Sequence, residues 1–244
     1  MDVQYTTICF DFGNTLLKYA VFERNNCTGI FFLENADLLS VQPVIEKYQP
    51  KKTILSSVVH HPVEIEKFLA GKSKFHKLSH ESKLPFTIPV AKKETIGTDR
   101  LALMSAAATM YPEKHTLVIV FGSCITYNFL NASGEFLGGA ISPGMEMRFK
   151  SMHSLTAKLP LVAANSIFPL IGYDTRTNLL SGVMLGILGE INYQLELYEK
   201  RYSNFNAVLT GGDMRYFASH LKKKIFADPQ FIYKGLYAIS ELNQ

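Results

Sequence analysis

One apolar segment that ends in a polar turn occurs twice in this chain. Ile8–Thr15 reads Ile-Cys-Phe-Asp-Phe-Gly-Asn-Thr, and about half a chain later Val118–Thr126 reads Val-Ile-Val-Phe-Gly-Ser-Cys-Ile-Thr. In each copy a second apolar stretch follows the glycine and its small polar neighbours. This pattern is typical of a β-hairpin whose turn offers backbone N–H groups and hydroxyls to an anion. Two such turns indicate a duplicated fold that holds a polyphosphate between its halves.

The composition excludes several classes of protein. The 244 residues carry a net charge of only +4, and the basic runs lack interleaved aromatic residues, so we expect no nucleic-acid partner. Met1–Gln4 has neither a basic nor an apolar region of a signal peptide, and no uncharged apolar run approaches the roughly 20 residues that span a bilayer. The three cysteines form no CxxC pair, which fits a reducing compartment. We therefore expect a cytoplasmic protein without membrane contact.

The order of predicted elements favours an α/β fold with two mixed β-sheet halves and flanking helices, because strands grouped before helices occur twice. Residues 79–96 carry two prolines and little periodicity, which predicts a connecting loop. The expected halves are then residues 1–90 and residues 97–244. The helices predicted in the second half cover 100–111, 143–154, 175–200 and 214–223.

The first polar turn, Asp11-Phe12-Gly13-Asn14-Thr15, has the chemistry of a phosphate site. A carboxylate at a strand end can hold Mg²⁺ or its water shell, and a glycine lets the backbone approach phosphate. Lys18 adds a point charge for the outer phosphates. The alternative is a hairpin in which Asp11 and Asn14 only satisfy the turn.

Gly97-Thr98-Asp99-Arg100 precedes a strongly helical run. Asp99 is a candidate general base for a substrate hydroxyl, and Arg100 can grip a carboxylate with two hydrogen bonds. The alternative is that Thr98 or Asp99 is only an N-cap.

Three other segments are less specific. Thr210-Gly211-Gly212, at a predicted switch from strand to helix, is either a nucleotide contact or a tight turn. Gly138–Gly144 is either a backbone approach to a ligand or an edge strand. His60 and His61 lack the spacing of metal ligands.

Taken together, the ordered motifs resemble those of type III pantothenate kinases. These motifs are Asp-x-Gly-Asn-Thr-x-x-Lys, Gly-x-Asp-Arg, Gly-Ser-x-x-Thr, Gly-Gly-x-x-x-Pro-Gly and Thr-Gly-Gly, and they run from Ile8 to about Leu236. The resemblance implies a duplicated fold of the actin-like or ribonuclease-H-like kind that grips ATP between its halves. It also implies phosphorylation of pantothenate to 4'-phosphopantothenate, the first step of coenzyme A synthesis.

The resemblance assigns roles to individual residues. Asp99 becomes the catalytic proton acceptor, and Asp11 holds Mg²⁺ directly or through phosphate and water. Thr175 matches a threonine that touches substrate across a dimer interface. The implied ATP contacts are Asp11, Phe12, Gly13, Asn14, Thr15, Leu16, Leu17, Lys18, Ser123, Gly211 and Gly212, and the implied pantothenate contacts are Gly97, Thr98, Asp99, Arg100 and Thr175.

Three positions depart from the family pattern. Val120 stands where an aspartate is associated with a monovalent cation, Asn128 replaces an acidic residue, and Val90 replaces a tyrosine of the substrate pocket. A valine cannot ligate K⁺ or NH₄⁺, which puts that requirement in question. The lost carboxylates fit either an enzyme without it or a non-catalytic homologue that binds nucleotide or pantothenate and acts as a regulatory accessory factor. Val90 also leaves open a kinase for another small alcohol.

A homodimer is the expected assembly. The stretch Met145–Leu159 and the helix from Thr175 offer more apolar surface than one core needs.

Overall fold

The computed structural model describes residues 5–90, 92–221 and 225–243, which divide into two compact units. The first unit contains the described residues up to Glu113, Ser133–Leu137, and the described residues from Gln230 onward. The second unit contains Lys114–Ala132 and the described residues of Gly138–Pro229. Residues 79–90 and 92–96, which were predicted to connect the two halves, lie inside the first unit. The boundaries of the compact units therefore differ from those of the predicted halves.

The first unit is built on a five-stranded mixed sheet. Its strands are β1 (Thr6–Phe12), β2 (Leu17–Glu23), β3 (Asn26–Leu33), β4 (Lys52–Ser57) and β5 (Lys74–Lys77), in the order β3-β2-β1-β4-β5. The hairpin strands β1, β2 and β3 pair antiparallel, whereas β4 runs parallel to both β1 and β5. Alternate side chains of β1, among them Ile8, Phe10 and Phe12, share one core with residues of helices α1 (Leu38–Tyr48) and α2 (Val63–Lys72).

The opposite face of this sheet is covered by two helices from distant parts of the sequence. Helix α3 (Thr98–Met110) packs against the last helix of the fold, α6 (Phe231–Leu242), and both contact β4. The two helices lie so close that a Cβ on Gly235 would collide with the backbone of Ala102. Helix α6 was not predicted from the sequence. This packing explains why the C-terminal residues belong to the first unit.

The second unit repeats the same strand plan. Its strands are β6 (Thr116–Phe121), β7 (Cys124–Leu130), β8 (Phe136–Pro143), β9 (Asn206–Thr210) and β10 (Phe226–Ala227), in the order β10-β9-β6-β7-β8. The first two residues of β8 are grouped with the first unit. Strand β6 pairs antiparallel with β7 and parallel with β9, as β1 does with β2 and β4. The predicted α/β fold with two mixed sheets and an internal repeat is therefore confirmed.

Two helices complete the second unit. Helices α4 (Met145–Ser154) and α5 (Thr175–Arg201) pack on the sheet, and the Asp174 side chain accepts a hydrogen bond from the Thr177 N–H at the start of α5.

The prediction of a helix over 214–223 is wrong for the residues that the structure describes. Short 3₁₀ turns occupy Gly212–Tyr216 and Ala218–His220, and residues 222–224 lie outside the described residues. Across the described parts of the chain, no helix is both long enough and apolar enough to cross a membrane.

Candidate active site

The first polar turn joins β1 to β2 and presents its residues at one edge of the first sheet. Asp11, the penultimate residue of β1, lies opposite Lys18 of β2. The Gly13 N–H donates to the Leu16 carbonyl at 3.2 Å and closes the turn. The Lys18 ammonium lies 5.5 Å from the centre of the Phe32 ring. Asn14, Thr15 and Leu16 are exposed, Phe12 is buried, and Gly13, Leu17 and Lys18 are half-buried.

Two carboxyl groups meet at this edge. Burial, and to a smaller extent the negative charge of Asp99, raise the pKa of Asp11 to about 7. The positive charge of Lys18 opposes both effects. Burial also raises the pKa of Asp99, against hydrogen bonds from the N–H groups of Arg100 and Asp99 itself and the charge of Arg100. A cation between the carboxylates would relieve both the desolvation and their repulsion. This electrostatic conflict marks the pair as a functional candidate.

The start of α3 is fastened to the end of β4. Asp11 of β1 lies beside Ser56 of β4 in the parallel register, so both strands deliver polar residues to one sheet edge. The Ser56 hydroxyl donates to the Thr98 hydroxyl at 2.9 Å, and the Thr98 hydroxyl donates to the Ser57 carbonyl at 3.3 Å. Because Thr98 is the first residue of α3, these bonds fix where Asp99 stands.

Gly97 lies directly against the carboxylate of Asp99. A Cβ on Gly97 would collide with Oδ1 of Asp99. Arg100 packs its guanidinium over the Phe136 ring, 5.3 Å from the ring centre, and burial lowers its pKa while Asp99 opposes that change. Even so, an arginine stays charged at neutral pH. The segment therefore sets a carboxylate and a half-buried cation side by side.

The second polar turn has the same construction in the second unit. The Gly122 N–H donates to the Cys124 carbonyl and the Gly144 N–H to the Ser123 carbonyl, each at 3.1 Å. Val120 is the penultimate residue of β6 and lies beside Thr210 of β9. Val120 thus occupies the place that Asp11 has in the first sheet.

Gly211 follows β9 with a φ of +99°, and a Cβ there would meet the backbone of Phe121. The Gly211-Gly212 turn consequently lies against the end of β6 within the second unit. Ser123 and Gly212 are exposed.

Two other residues singled out from the sequence have clear surroundings. Thr175 is the exposed first residue of α5. Asn128 is fully buried, and its side-chain amide donates to the Thr126 hydroxyl at 3.0 Å and to the Val118 carbonyl at 3.4 Å. Asn128 therefore serves the interior of the second sheet.

The donor set at the first edge fits magnesium better than a caged transition metal. Among the described residues, no group of three or more His, Cys, Asp or Glu side chains could hold a metal ion. Mg²⁺ is commonly held by one or two carboxylates together with phosphate oxygens and water. Asp11, with Asp99 nearby, supplies that set.

Sequence reasoning missed the residues that support this edge. Ser56 and Ser57 were not singled out, although their place at the end of an apolar strand is a usable signal. His61 was considered only as a metal ligand. Tyr233 of α6 is buried, and its pKa is raised by burial first and then by the negative charge of Asp11. Tyr233 could not be found because α6 lies more than 200 residues from Asp11 in sequence.

Comparison with known proteins gives a consistent result. The family model described as type III pantothenate kinase matches residues 7–196. The type III pantothenate kinase of Christiangramia forsetii is 38% identical over 239 residues, covering 97% of this chain and 98% of that protein. The enzyme of the same name from Bacteroides fragilis is 37% identical over 240 residues, with 97% and 98% covered.

Solved structures share the fold at lower identity. A protein described as a Baf family transcriptional activator from Campylobacter jejuni superimposes with a TM-score of 0.61 at 21% identity, covering 96% of this chain and 97% of that one. An activator of 2-hydroxyisocaproyl-CoA dehydratase from Clostridium difficile, solved with bound ADPNP, gives 0.50 at 12% identity, with 97% and 95% covered. These likenesses support the duplicated actin-like fold, while the sequence matches cover nearly the whole chain. The chain therefore belongs to the type III pantothenate kinase family.

Proposed function

We propose that this protein transfers the γ-phosphoryl group of MgATP to the primary hydroxyl of pantothenate and so forms 4'-phosphopantothenate. The proposed location is the cytoplasm. The observation that carries the proposal is the pair of carboxyl groups, Asp11 and Asp99, at one sheet edge of a chain that belongs to this family. Phosphoryl transfer asks mainly for positioning and charge neutralisation, and this edge is built for both.

Asp11 is the proposed magnesium ligand, directly or through water. Its pKa of about 7 means that a proton would compete with a magnesium ion for this carboxyl group near neutral pH. An ion held there would neutralise charge on the transferring phosphoryl group. Lys18 and the turn residues Asn14, Thr15 and Leu16 would contact phosphate oxygens, and the remaining proposed nucleotide contacts are Phe12, Gly13, Leu17, Ser123, Gly211 and Gly212.

Asp99 is the proposed acceptor of the hydroxyl proton. A general base works best when its pKa lies near the working pH, and burial moves the pKa of Asp99 in that direction. The loose transition state of phosphoryl transfer needs little deprotonation early on, so Asp99 also acts by orienting the hydroxyl. Gly97 and Thr98 would line the same segment, and Arg100 would bind the pantothenate carboxylate through two hydrogen bonds.

A homodimer is the proposed assembly, in which Thr175 would contact the substrate held by the other copy. The segment before α5 supports this, because it carries five large apolar residues that are each more than three-quarters exposed: Leu155, Ile167, Leu170, Ile171 and Tyr173. Exposed apolar surface of this extent is typical of an interaction face. Light scattering at micromolar concentration should give twice the 27.4 kDa chain mass, and a monomeric mass would contradict the dimer.

Activity without a monovalent cation is the expected consequence of Val120. The valine has no oxygen with which to ligate K⁺ or NH₄⁺, and it stands at the position equivalent to Asp11.

The proposal is tested by a coupled ADP-release assay with MgATP, with and without pantothenate, on the wild type and on Asp99→Asn. We expect pantothenate-dependent release in the wild type and its loss in the variant. ADP release that pantothenate does not stimulate would contradict the proposal. Nucleotide binding without turnover would instead support a non-catalytic homologue, and turnover with a different alcohol would reassign the substrate.

A further inference from the structure

A chain of hydrogen bonds runs behind the candidate active site from α2 to the end of β4. Nε2 of His61 lies 2.9 Å from Oε1 of Glu66, and Nδ1 of His61 lies 3.1 Å from the Ser57 hydroxyl. The Lys77 ammonium donates to the same Glu66 oxygen at 2.7 Å. Both nitrogens of the His61 ring therefore have partners.

The burial of His61 sets it apart from an ordinary surface histidine. Its side chain is only 7% exposed, and its ring packs edge-on against Phe12, with the ring centres 5.8 Å apart. Phe12 directly follows Asp11 at the end of β1. The adjacent His60, by contrast, is exposed. His61 therefore contacts the strand that carries the proposed magnesium ligand.

The direction of the hydrogen bonds follows from the donors and acceptors. Burial would raise the pKa of Glu66, but hydrogen bonds from Lys77 and His61 lower it overall, so its carboxylate is ionised and only accepts. Nε2 of His61 must then carry the proton that it shares with Glu66. The Ser57 hydroxyl donates its proton to the Val59 carbonyl at 2.8 Å, so its oxygen is the atom that Nδ1 of His61 approaches at 3.1 Å. The Val59 N–H donates to the same hydroxyl oxygen at 3.4 Å.

Ser57 connects this chain to the start of α3. Its carbonyl accepts the hydrogen bond from the Thr98 hydroxyl, and Thr98 directly precedes Asp99. Since the Ser57 hydroxyl already donates to the Val59 carbonyl, loss of His61 would remove the contact that links Ser57 to Glu66 of α2. His61 thereby ties the end of β4, which holds the start of α3 through Thr98, to Glu66 of α2.

We propose that His61 is a positioning residue of the phosphoryl-transfer site, which acts through Ser57 and Thr98 on the placement of Asp99. The proposal rests on the function proposed above. Misplacing a reacting group by about 1 Å can cost on the order of 10²-fold, and loosening one link in this chain is expected to cost on the order of 10-fold in kcat/KM for pantothenate. The KM for pantothenate should change more than the KM for ATP, because the hydrogen bonds lead to the segment that holds the hydroxyl acceptor, whereas His61 reaches the nucleotide turn only through the Phe12 ring.

Four variants separate positioning from a role in folding alone. His61→Ala removes both links, and His60→Ala is its matched control. In His61→Asn the side-chain amide reaches the place of Nδ1 and keeps a partner for Ser57, whereas in His61→Gln it reaches the place of Nε2 and keeps a partner for Glu66. A positioning role through Ser57 predicts that His61→Asn retains more activity than His61→Gln. A role that only anchors the loop to α2 predicts the reverse.

Steady-state kinetics with pantothenate and with ATP as the varied substrate give the result. We expect His61→Ala to raise the pantothenate KM and lower kcat, with partial rescue by His61→Asn and wild-type values for His60→Ala. Loss of folded protein alone would lower kcat and leave both KM values unchanged, which would overturn the proposal, as would wild-type kinetics in His61→Ala. If His61→Ala does not fold, Ser57→Ala tests the same link and should also raise the pantothenate KM. A wild type without pantothenate-dependent turnover would instead refute the proposed function, and the positioning role with it.

Discussion

Removing the charge of Asp11 should make the protein more stable and inactive at once. In Asp11→Asn an amide of the same size replaces a carboxyl whose pKa is raised from 3.8 to about 7, by burial first and by Asp99 second. The amide carries no charge at any pH. The variant therefore escapes the cost of burying an ionised group, but it also loses the proposed magnesium ligand.

The size of the effect depends on pH in a defined direction. Since its pKa is raised in the folded state, Asp11 holds its proton more tightly when folded, and stability is lost as pH rises from about 3.8 to about 7. One pKa unit corresponds to about 1.4 kcal/mol, so the ionised carboxyl costs about 4 kcal/mol of unfolding free energy above pH 7. Between about pH 5 and about pH 8.5, the advantage of Asp11→Asn should grow by about 3 kcal/mol.

Urea unfolding without nucleotide or Mg²⁺ measures this difference. The chain has no tryptophan, so far-ultraviolet circular dichroism is the suitable probe. Glu64→Gln, which neutralises an exposed carboxylate on α2, controls for the general effect of removing a negative charge. An advantage of Asp11→Asn that does not change with pH, or a less stable variant at about pH 8.5, would refute the reasoning.

Three further outcomes are expected. Asp99→Asn should lower turnover with pantothenate about 10²-fold or more, the usual worth of a positioned acid–base group, and unchanged kcat in the coupled assay would remove Asp99 from the mechanism. Gly235→Ala should lower the free energy of unfolding by about 1–3 kcal/mol in urea, because its Cβ meets the Ala102 backbone; an exposed helix position would instead gain about 1 kcal/mol from this change. The wild type should turn over equally fast in K⁺ and in Na⁺ alone, and strict K⁺ dependence would show that Val120 does not decide the cation requirement.

The internal repeat could be predicted from sequence because it is local. A strand, a glycine and a returning strand are contiguous, so the hairpins at Ile8–Thr15 and Val118–Thr126 were visible as patterns. Helix α6 was not predicted, and its partnership with α3 through Gly235 and Ala102 joins parts of the chain that no local pattern connects. The sequence therefore did not predict that the C-terminal helix belongs to the first unit.

The candidate site divides in the same way. Asp11 and Asp99 could be singled out from the sequence because Asp11 is an acidic residue near the end of an apolar strand and Asp99 is an acidic residue at the start of a helix. That the two carboxyl groups lie at the same edge of the sheet could not be predicted. It follows from the parallel pairing of β1 with β4, which brings Ser56 and the start of α3 to the edge where Asp11 lies. The proposed role of His61 could not be predicted from sequence, because it depends on the atoms that its two ring nitrogens contact and not on the spacing of His61 from other residues.

The central claim is tested most directly by identifying the product. The protein is incubated with MgATP and pantothenate, and the products are analysed by phosphorus NMR and mass spectrometry, with Asp99→Asn in parallel. The account predicts a single phosphate ester on the primary hydroxyl of pantothenate, formed in equal amount to ADP and greatly reduced in the variant. Folded protein that releases no ADP, or releases ADP without esterifying pantothenate, would contradict it.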